Sequence, residues 1–249
     1  MTTIKVESKG KVALVSGSNR GIGKAITIEL LNRGASKVYA GARNVSSLDE
    51  LKAQYGDRLI PVQLDITNDA SITAAAGKVE GLDILVNNAG VAVGGGLTDE
   101  NTESSLQANM EVNVFGTIKV VNAFLDQLKK SSQAAIVNVS SIAGLANMAM
   151  MGTYSISKAA LHSLTQGQRA QLAPANILVS GVYPGPIDTD MAKGFEMEKE
   201  TPENVAISIL DGIAAGVEDI YPDPMSNQVG TFYANNPKAV EQQFSSFGG

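Results

Sequence analysis

Short runs of aliphatic and β-branched residues alternate with longer helix-like stretches along most of this 249-residue chain. Val, Ile and Leu are almost continuous within each run, which indicates strands buried on both faces. A parallel sheet covered by helices buries its strands in this way. We therefore expect one α/β domain over residues 1–249, with a doubly wound parallel sheet of about seven strands and helices on both faces. The predicted strands are Lys11–Ser16, Lys37–Gly41, Leu59–Leu64, Ile84–Val86, Ala135–Val139, Leu178–Val182 and Asp219–Tyr221.

Amphipathic patterns in the intervening stretches predict helices. After Gly21, apolar residues recur at three- and four-residue steps, and Gly34 is placed to end this first helix. Ser46 and Ser47 are candidate caps for the second helix. The helices predicted after the first are Ser47–Gln54, Thr102–Lys130, Tyr154–Leu172 and Pro202–Gly216.

Composition excludes several kinds of site. The chain has no cysteine and a single histidine, His162, so disulfides, thiolate catalysis and a thiolate or multi-histidine metal site are not expected. Its formal charge is −6 without any basic run, which argues against nucleic acid and anionic membranes as partners. Residues 1–11 are polar, and no apolar run has the length of a membrane span. We expect a cytoplasmic protein that binds no metal.

The first predicted strand leads into a glycine-rich loop that opens a helix. Its glycines let the chain turn tightly and approach a pyrophosphate, and the helix N-terminus offers free N–H groups. This placement in the first βα unit favours dinucleotide binding by a Rossmann-type fold over an ordinary turn. The predicted phosphate-binding residues are Gly17, Asn19, Arg20, Gly21, Ile22 and Gly23.

Charge at the end of the second strand indicates which nicotinamide cofactor binds. NAD-binding enzymes place a carboxylate about 20 residues beyond the glycines, where it accepts a hydrogen bond from the ribose 2′-hydroxyl. Here Ala42 occupies that place and Arg43 follows it, while Arg20 lies in the glycine-rich loop. Two guanidinium groups with no acid at this corner favour the 2′-phosphate of NADP(H) over NAD(H). The alternative is that both arginines are only solvated.

Tyr154 and Lys158 lie four residues apart in a predicted helix, so the phenol and the ammonium share one face. A nearby ammonium, helped by the positive charge of oxidised nicotinamide, favours the phenolate, and we expect the two to lower the pKa of Tyr154 enough for general acid–base catalysis. This spacing also occurs by chance in many helices, where the tyrosine packs in the core. The motifs around the pair are therefore needed to support a catalytic role for Tyr154 and Lys158.

Together these motifs resemble the short-chain dehydrogenase/reductase family, over residues 11–191. The resemblance implies an NAD(P)-dependent oxidoreductase, commonly a homodimer or homotetramer, in which Tyr154 moves the proton, Lys158 assists it and Ser141 stabilises the substrate oxygen. Asn113 resembles the family's fourth catalytic residue, part of a water-mediated proton relay; the alternative is a structural asparagine that kinks its helix. The resemblance assigns further cofactor contacts to Asp65 and Ile66 near the adenine, to Asn88, Ala89 and Gly90 beside the ribose, to Tyr154 and Lys158, and to Pro184, Gly185, Ile187 and Thr189 near the nicotinamide.

The expected reaction is hydride transfer between NADPH and a small, apolar aldehyde or ketone. We expect the substrate to lie between residues 142–153 and a short loop near 189–202. A non-catalytic NADPH sensor is the main alternative, although such proteins commonly lose the tyrosine or the lysine. A sugar-nucleotide epimerase would need a larger C-terminal domain, and an enoyl reductase would need a wider Tyr–Lys gap. From Asp219 onward the sequence departs from many members of the family.

Overall fold

The computed structural model describes residues 4–194 and 196–246, which form a seven-stranded sheet with every pair of neighbouring strands parallel. The strands are β1 (Val12–Ser16), β2 (Lys37–Ala42), β3 (Leu59–Gln63), β4 (Ile84–Asn87), β5 (Ala134–Val139), β6 (Ile177–Val182) and β7 (Asp219–Ile220). Their order across the sheet is β3-β2-β1-β4-β5-β6-β7, so the winding reverses between β1 and β4. The expected doubly wound, Rossmann-type sheet is confirmed.

Helices cover both faces of the sheet, as expected. The described residues form α1 (Gly21–Asn32), α2 (Asp49–Tyr55), α3 (Asp69–Ala76), α4 (Thr102–Met110), α5 (Thr117–Leu128), α6 (Gly152–Leu172), α7 (Pro202–Ala215), α8 (Pro224–Asn235) and α9 (Pro237–Ser245). Within residues 4–194 and 196–246, no helix combines the length and the apolar character that crossing a bilayer requires.

Side chains that point alternately to the two faces of the sheet form two separate apolar cores. In β1, Ala13 and Val15 belong to the core under α1 and α7, whereas Leu14 between them belongs to the core under α3 and α5. Successive strand residues point to opposite faces, so a run that is apolar at every position buries both. Phe124 and Leu30, each fully buried, lie in the two opposite cores.

The long helix predicted over residues 102–130 has an irregular middle. A π-helical segment, Glu111–Gly116, separates α4 from α5 and contains the buried side chain of Asn113. Such single turns of π-helix are frequent at functional sites. The predicted caps of the second helix are wrong: the side chain of Asn44 accepts from the Ser46 backbone N–H, and the chain first makes a short 3₁₀ turn.

The two C-terminal helices, α8 and α9, were not predicted from the sequence. Asp223 accepts from the Ser226 backbone N–H at 2.8 Å, and the Ser226 hydroxyl accepts from the Asp223 N–H at 3.1 Å, which makes a capping box at the start of α8. Together α8 and α9 cover a third apolar cluster, which includes Tyr183 and Phe244. The predicted domain bounds also take in residues 1–3, 195 and 247–249, which lie outside the described residues, and the single-domain organisation stays a prediction.

Candidate active site

A cavity of about 540 Å³ lies at the carboxyl ends of the strands, where the winding reverses. Open α/β sheets bind their ligands at this position, and the volume falls within the range of small-molecule sites. Of the residues predicted for the site, Gly23 and Asn113 do not line this cavity. The predicted residues that do line it are Gly17, Asn19, Arg20, Gly21, Ile22, Ala42, Arg43, Asp65, Ile66, Asn88, Ala89, Gly90, Ser141, Tyr154, Lys158, Pro184, Gly185, Ile187 and Thr189.

The glycine-rich loop turns sharply between β1 and α1. Gly17 and Gly21 have φ angles of +70° and +53°, which residues with a Cβ rarely adopt. The first turn of α1 carries no acidic residue, and no side chain caps its N-terminus. Gly23 has a packing role, because a Cβ there would lie 2.2 Å from the carbonyl oxygen of Gly17. The N-terminus of α1 therefore has no side-chain cap, and its first residues, Gly21 and Ile22, line the cavity, as a pyrophosphate site requires.

Hydrogen bonds hold the start of this loop against the end of β4. The Ser16 hydroxyl accepts from the backbone N–H groups of Asn88 and Ala89, each at 3.0 Å. The side-chain amide of Asn88 donates to the carbonyl oxygen of Ser16 at 2.9 Å. Ser16 is 2 % exposed and was not identified from the sequence, because only the pairing of β1 with β4 reveals its partners.

The charges beside β2 differ in part from the sequence-based expectation. Asp190 forms an exposed ion pair with Arg20 at 3.1 Å, so the corner is not free of acids. Arg43 is exposed and makes no ion pair with the described carboxylates. Hydrogen bonds from the backbone and hydroxyl of Thr67, together with the charge of Arg43, lower the pKa of Asp65. Arg43 is thus the guanidinium available to an anion here.

Tyr154, Lys158 and Ser141 meet in the same cavity. Lys158 places its Nζ 5.6 Å from the centroid of the Tyr154 ring and donates to the carbonyl oxygen of Val139 at 2.9 Å. Ser141 lies two residues after the end of β5, and its backbone is extended. Its hydroxyl accepts a hydrogen bond from the Ala143 N–H at 3.1 Å. Both Tyr154 and Lys158 are buried, at 7 % and 5 % exposure.

Burial sets the proton affinities of this pair. It raises the pKa of Tyr154 to about 12, while a hydrogen bond with the Ser141 hydroxyl opposes the rise. It also lowers the pKa of Lys158 from 10.5 to about 8. The expected lowering of the pKa of Tyr154 is therefore wrong for the polypeptide alone, and the lowering by oxidised nicotinamide stays a prediction. Removing the phenolate from water disfavours it more than the Ser141 hydrogen bond favours it.

Asn113 acts on the backbone around the site. Its side chain exchanges two hydrogen bonds of 2.9 Å with the backbone of Val91 and donates to the Ser157 hydroxyl at 2.9 Å. Ser157 in turn donates to the Tyr154 carbonyl at 2.7 Å. Asn109, four residues earlier, holds Val93 in the same way. Both asparagines fasten the segment after β4 to α6, and Asn109 was not identified from the sequence.

The segment after β6 is fixed from two sides. The Pro184 carbonyl accepts from the Ile142 N–H at 3.1 Å and from the Ser141 hydroxyl at 3.4 Å. The Gly185 N–H donates to the Asp223 carboxylate at 2.8 Å. The residue that caps α8 therefore also fixes Gly185, which lines the cavity. Asp223 is 5 % exposed and was not identified as a site residue, because its partner is 38 positions away.

Most of the chain matches a known protein family. A family model described as short chain dehydrogenase matches residues 11–200. The chain belongs to this family. It is therefore an oxidoreductase of the type that acts on CH–OH or C=O groups with a nucleotide cofactor.

Several family members are similar over most of their length. An uncharacterized oxidoreductase of Staphylococcus epidermidis is 34% identical over 209 residues, which cover 81% of this chain and 90% of that protein. The 3-oxoacyl-(acyl-carrier-protein) reductase FabG of Aquifex aeolicus is 34% identical over 195 residues, which cover 76% of this chain and 78% of that protein.

Two solved structures of family members differ in the cofactor they contain. A short chain dehydrogenase from Burkholderia cenocepacia in complex with NADP has a TM-score of 0.89 and 35% identity, covering 96% of this chain and 99% of that chain. A short chain dehydrogenase/reductase from Burkholderia phymatum in complex with NAD has a TM-score of 0.80 and 24% identity, covering 96% of each chain. The second similarity shows the fold alone.

Proposed function

We propose that the chain is an NADPH-dependent carbonyl reductase, and an alcohol dehydrogenase in reverse, with Tyr154 as general acid and base. The convergence of Tyr154, Lys158 and Ser141 on the cavity that also holds the glycine-rich loop supports this proposal. Bound in this cavity, NADPH supplies a hydride to a small aldehyde or ketone. The protein's own residues position the carbonyl oxygen and provide the proton.

Ser141 and Tyr154 are the proposed donors to the substrate oxygen. The Ser141 hydroxyl orients that oxygen and stabilises its developing negative charge. Tyr154 then gives its phenolic proton to the same oxygen. A pKa of about 12 keeps this phenol protonated at neutral pH, which is the form that carbonyl reduction needs.

Lys158 is proposed to stabilise the negative charge that develops on the phenol as its proton leaves. With a pKa of about 8, the lysine is mostly cationic at pH 7 and loses its charge above pH 8. We therefore expect kcat/KM for carbonyl reduction to fall as the pH rises above 8. Asn113 acts as a positioning residue, since its bond to Ser157 supports the first turns of α6.

Arg43 supports a preference for NADPH over NADH. Its exposed guanidinium lines the cavity beside Ala42, where a carboxylate would favour NAD(H). A guanidinium binds a phosphate through two parallel hydrogen bonds and repels no part of NADPH. The similar protein from Burkholderia cenocepacia was solved with NADP, which agrees with this proposal.

The direct test follows NADPH oxidation by the loss of reduced-nicotinamide absorbance over a panel of aldehydes and ketones. We expect turnover of at least one neutral carbonyl compound and slower turnover with NADH. Tight NADPH binding without turnover of any compound would contradict the proposal and would favour the non-catalytic sensor.

A further inference from the structure

Methionine is the commonest residue in the lining of the cavity. The chain contains eight methionines, and six of them line this cavity. They come from three separate segments: the turn before α6, the loop after β6 and the start of α8. These six residues, the methionine wall, are Met148, Met150, Met151, Met191, Met197 and Met225.

Half of the methionine wall faces solvent. Met150, Met191 and Met197 are 52 %, 51 % and 37 % exposed, although each is a large apolar side chain. Apolar side chains gathered around a cavity indicate a binding surface that a ligand covers. Met225 packs close to Gly185, since a Cβ on Gly185 would lie 3.5 Å from the Met225 sulfur. Methionine is flexible and polarisable, so such a wall adapts to apolar groups of varied shape.

The loop beside this wall is acidic. Residues 188–200 carry five carboxylates and two ammonium groups. Asp190 is paired with Lys193 at 2.5 Å and with Arg20 at 3.1 Å, whereas the other four carboxylates make no ion pair with the described lysines and arginines. The loop is closed at its base by the bond from the Asp188 N–H to the Glu200 carbonyl, at 2.9 Å. A negative potential at this position repels anionic substrates and slows their entry.

We infer that the substrate is an uncharged, apolar carbonyl compound, free in solution, and not an acyl group carried on coenzyme A or on an acyl-carrier protein. This inference rests on the proposed function. Both carriers bring phosphate groups, and a carrier protein brings further carboxylates, to the mouth of the site. In this respect the chain is expected to differ from the similar reductase of Aquifex aeolicus, whose name specifies a carrier-bound substrate.

Three 3-oxo compounds with the same six-carbon chain test the inference: ethyl 3-oxohexanoate, the 3-oxohexanoate anion and 3-oxohexanoyl-coenzyme A. With NADPH saturating, we expect kcat/KM for the ester to exceed both others at least tenfold. Raising the ionic strength should reduce the difference in kcat/KM between the ester and the two charged compounds, because salt screens the charge of the acidic loop. A coenzyme A thioester turned over as well as the ester would overturn the inference while leaving the proposed function intact. Turnover of none of the three would overturn the inference, and only failure of the whole panel of aldehydes and ketones as well would overturn the proposed function.

Two sets of variants separate the roles of the wall and of the loop. Met191→Gln should lower kcat/KM for the ester by about fivefold, because it puts a polar amide in the wall, whereas Met191→Leu, which stays apolar, should lower it by less than about twofold. Glu198→Lys should raise kcat/KM for the anion several-fold and change kcat/KM for the ester much less. Equal effects of Gln and Leu, or of Glu198→Lys on ester and anion, would overturn the inference.

Discussion

Replacing Lys158 with methionine is expected to abolish reductase activity and yet to make the protein more stable at pH 7. Burial lowers the pKa of Lys158 from 10.5 to about 8, so carrying its charge into the fold costs about 3 kcal/mol at neutral pH. Methionine has a similar length and no charge. It leaves the Val139 carbonyl without its lysine donor, which costs about 1–3 kcal/mol. We expect a net stabilisation of about 1 kcal/mol.

The pH dependence of this difference tests the reasoning more sharply than its size. Because the folded-state pKa of Lys158 is the lower one, the unfolded chain binds more protons between pH 8 and pH 10.5. The cost of the buried charge is complete below pH 8 and shrinks as the pH rises through this window. The wild type should therefore gain about 2 kcal/mol relative to Lys158→Met between pH 8 and pH 10.

Urea unfolding of the protein without cofactor, followed by circular dichroism at several pH values, measures this difference. Lys130→Met, a change at an exposed lysine, is the matched control and should alter the free energy of unfolding by less than about 0.5 kcal/mol. A stability difference between wild type and Lys158→Met that does not vary between pH 8 and pH 10 would refute the desolvation argument.

Three further changes test the cofactor end and the floor of the site. Arg43→Glu should weaken NADPH binding at least tenfold relative to NADH, measured by titrating the fluorescence of each reduced cofactor, because a carboxylate repels the 2′-phosphate; an unchanged ratio of Kd values would count against the NADPH preference. Gly23→Ala puts a Cβ 2.2 Å from the Gly17 carbonyl oxygen and should abolish NADPH binding in the same titration, a result that normal binding would contradict. Asp223→Ala removes the cap of α8 and should cost about 1–2 kcal/mol in urea unfolding, whereas Asp223→Asn should cost less; equal losses would show that capping is not the cause.

Features that depend on neighbouring residues could be predicted from the sequence. The strands, the glycine-rich loop and the Tyr154–Lys158 pair are local patterns, and the structure places the last two on one cavity. The start of α8 also had a local signal, since Asp223 precedes a proline at the first helical position. The motifs of the family resemblance end before this position, so they do not predict α8.

Features that depend on distant partners could not be predicted. The acid that pairs with Arg20 is Asp190, 170 positions away, and no local pattern joins them. Burial of Tyr154 is a tertiary property, so the direction of its pKa shift required the packed structure. The roles of the site residues, the oligomeric state and the cytoplasmic location stay predictions.

The central claim is that the phenol of Tyr154 transfers the proton. The most direct measurement compares wild type with Tyr154→Phe, using NADPH and a neutral ketone that the wild type reduces. We predict a loss of about 10²–10⁴ in kcat with the Kd for NADPH changed less than about threefold, while Tyr55→Phe, at a residue that does not line the cavity, keeps full activity. Wild-type turnover by Tyr154→Phe would contradict the claim.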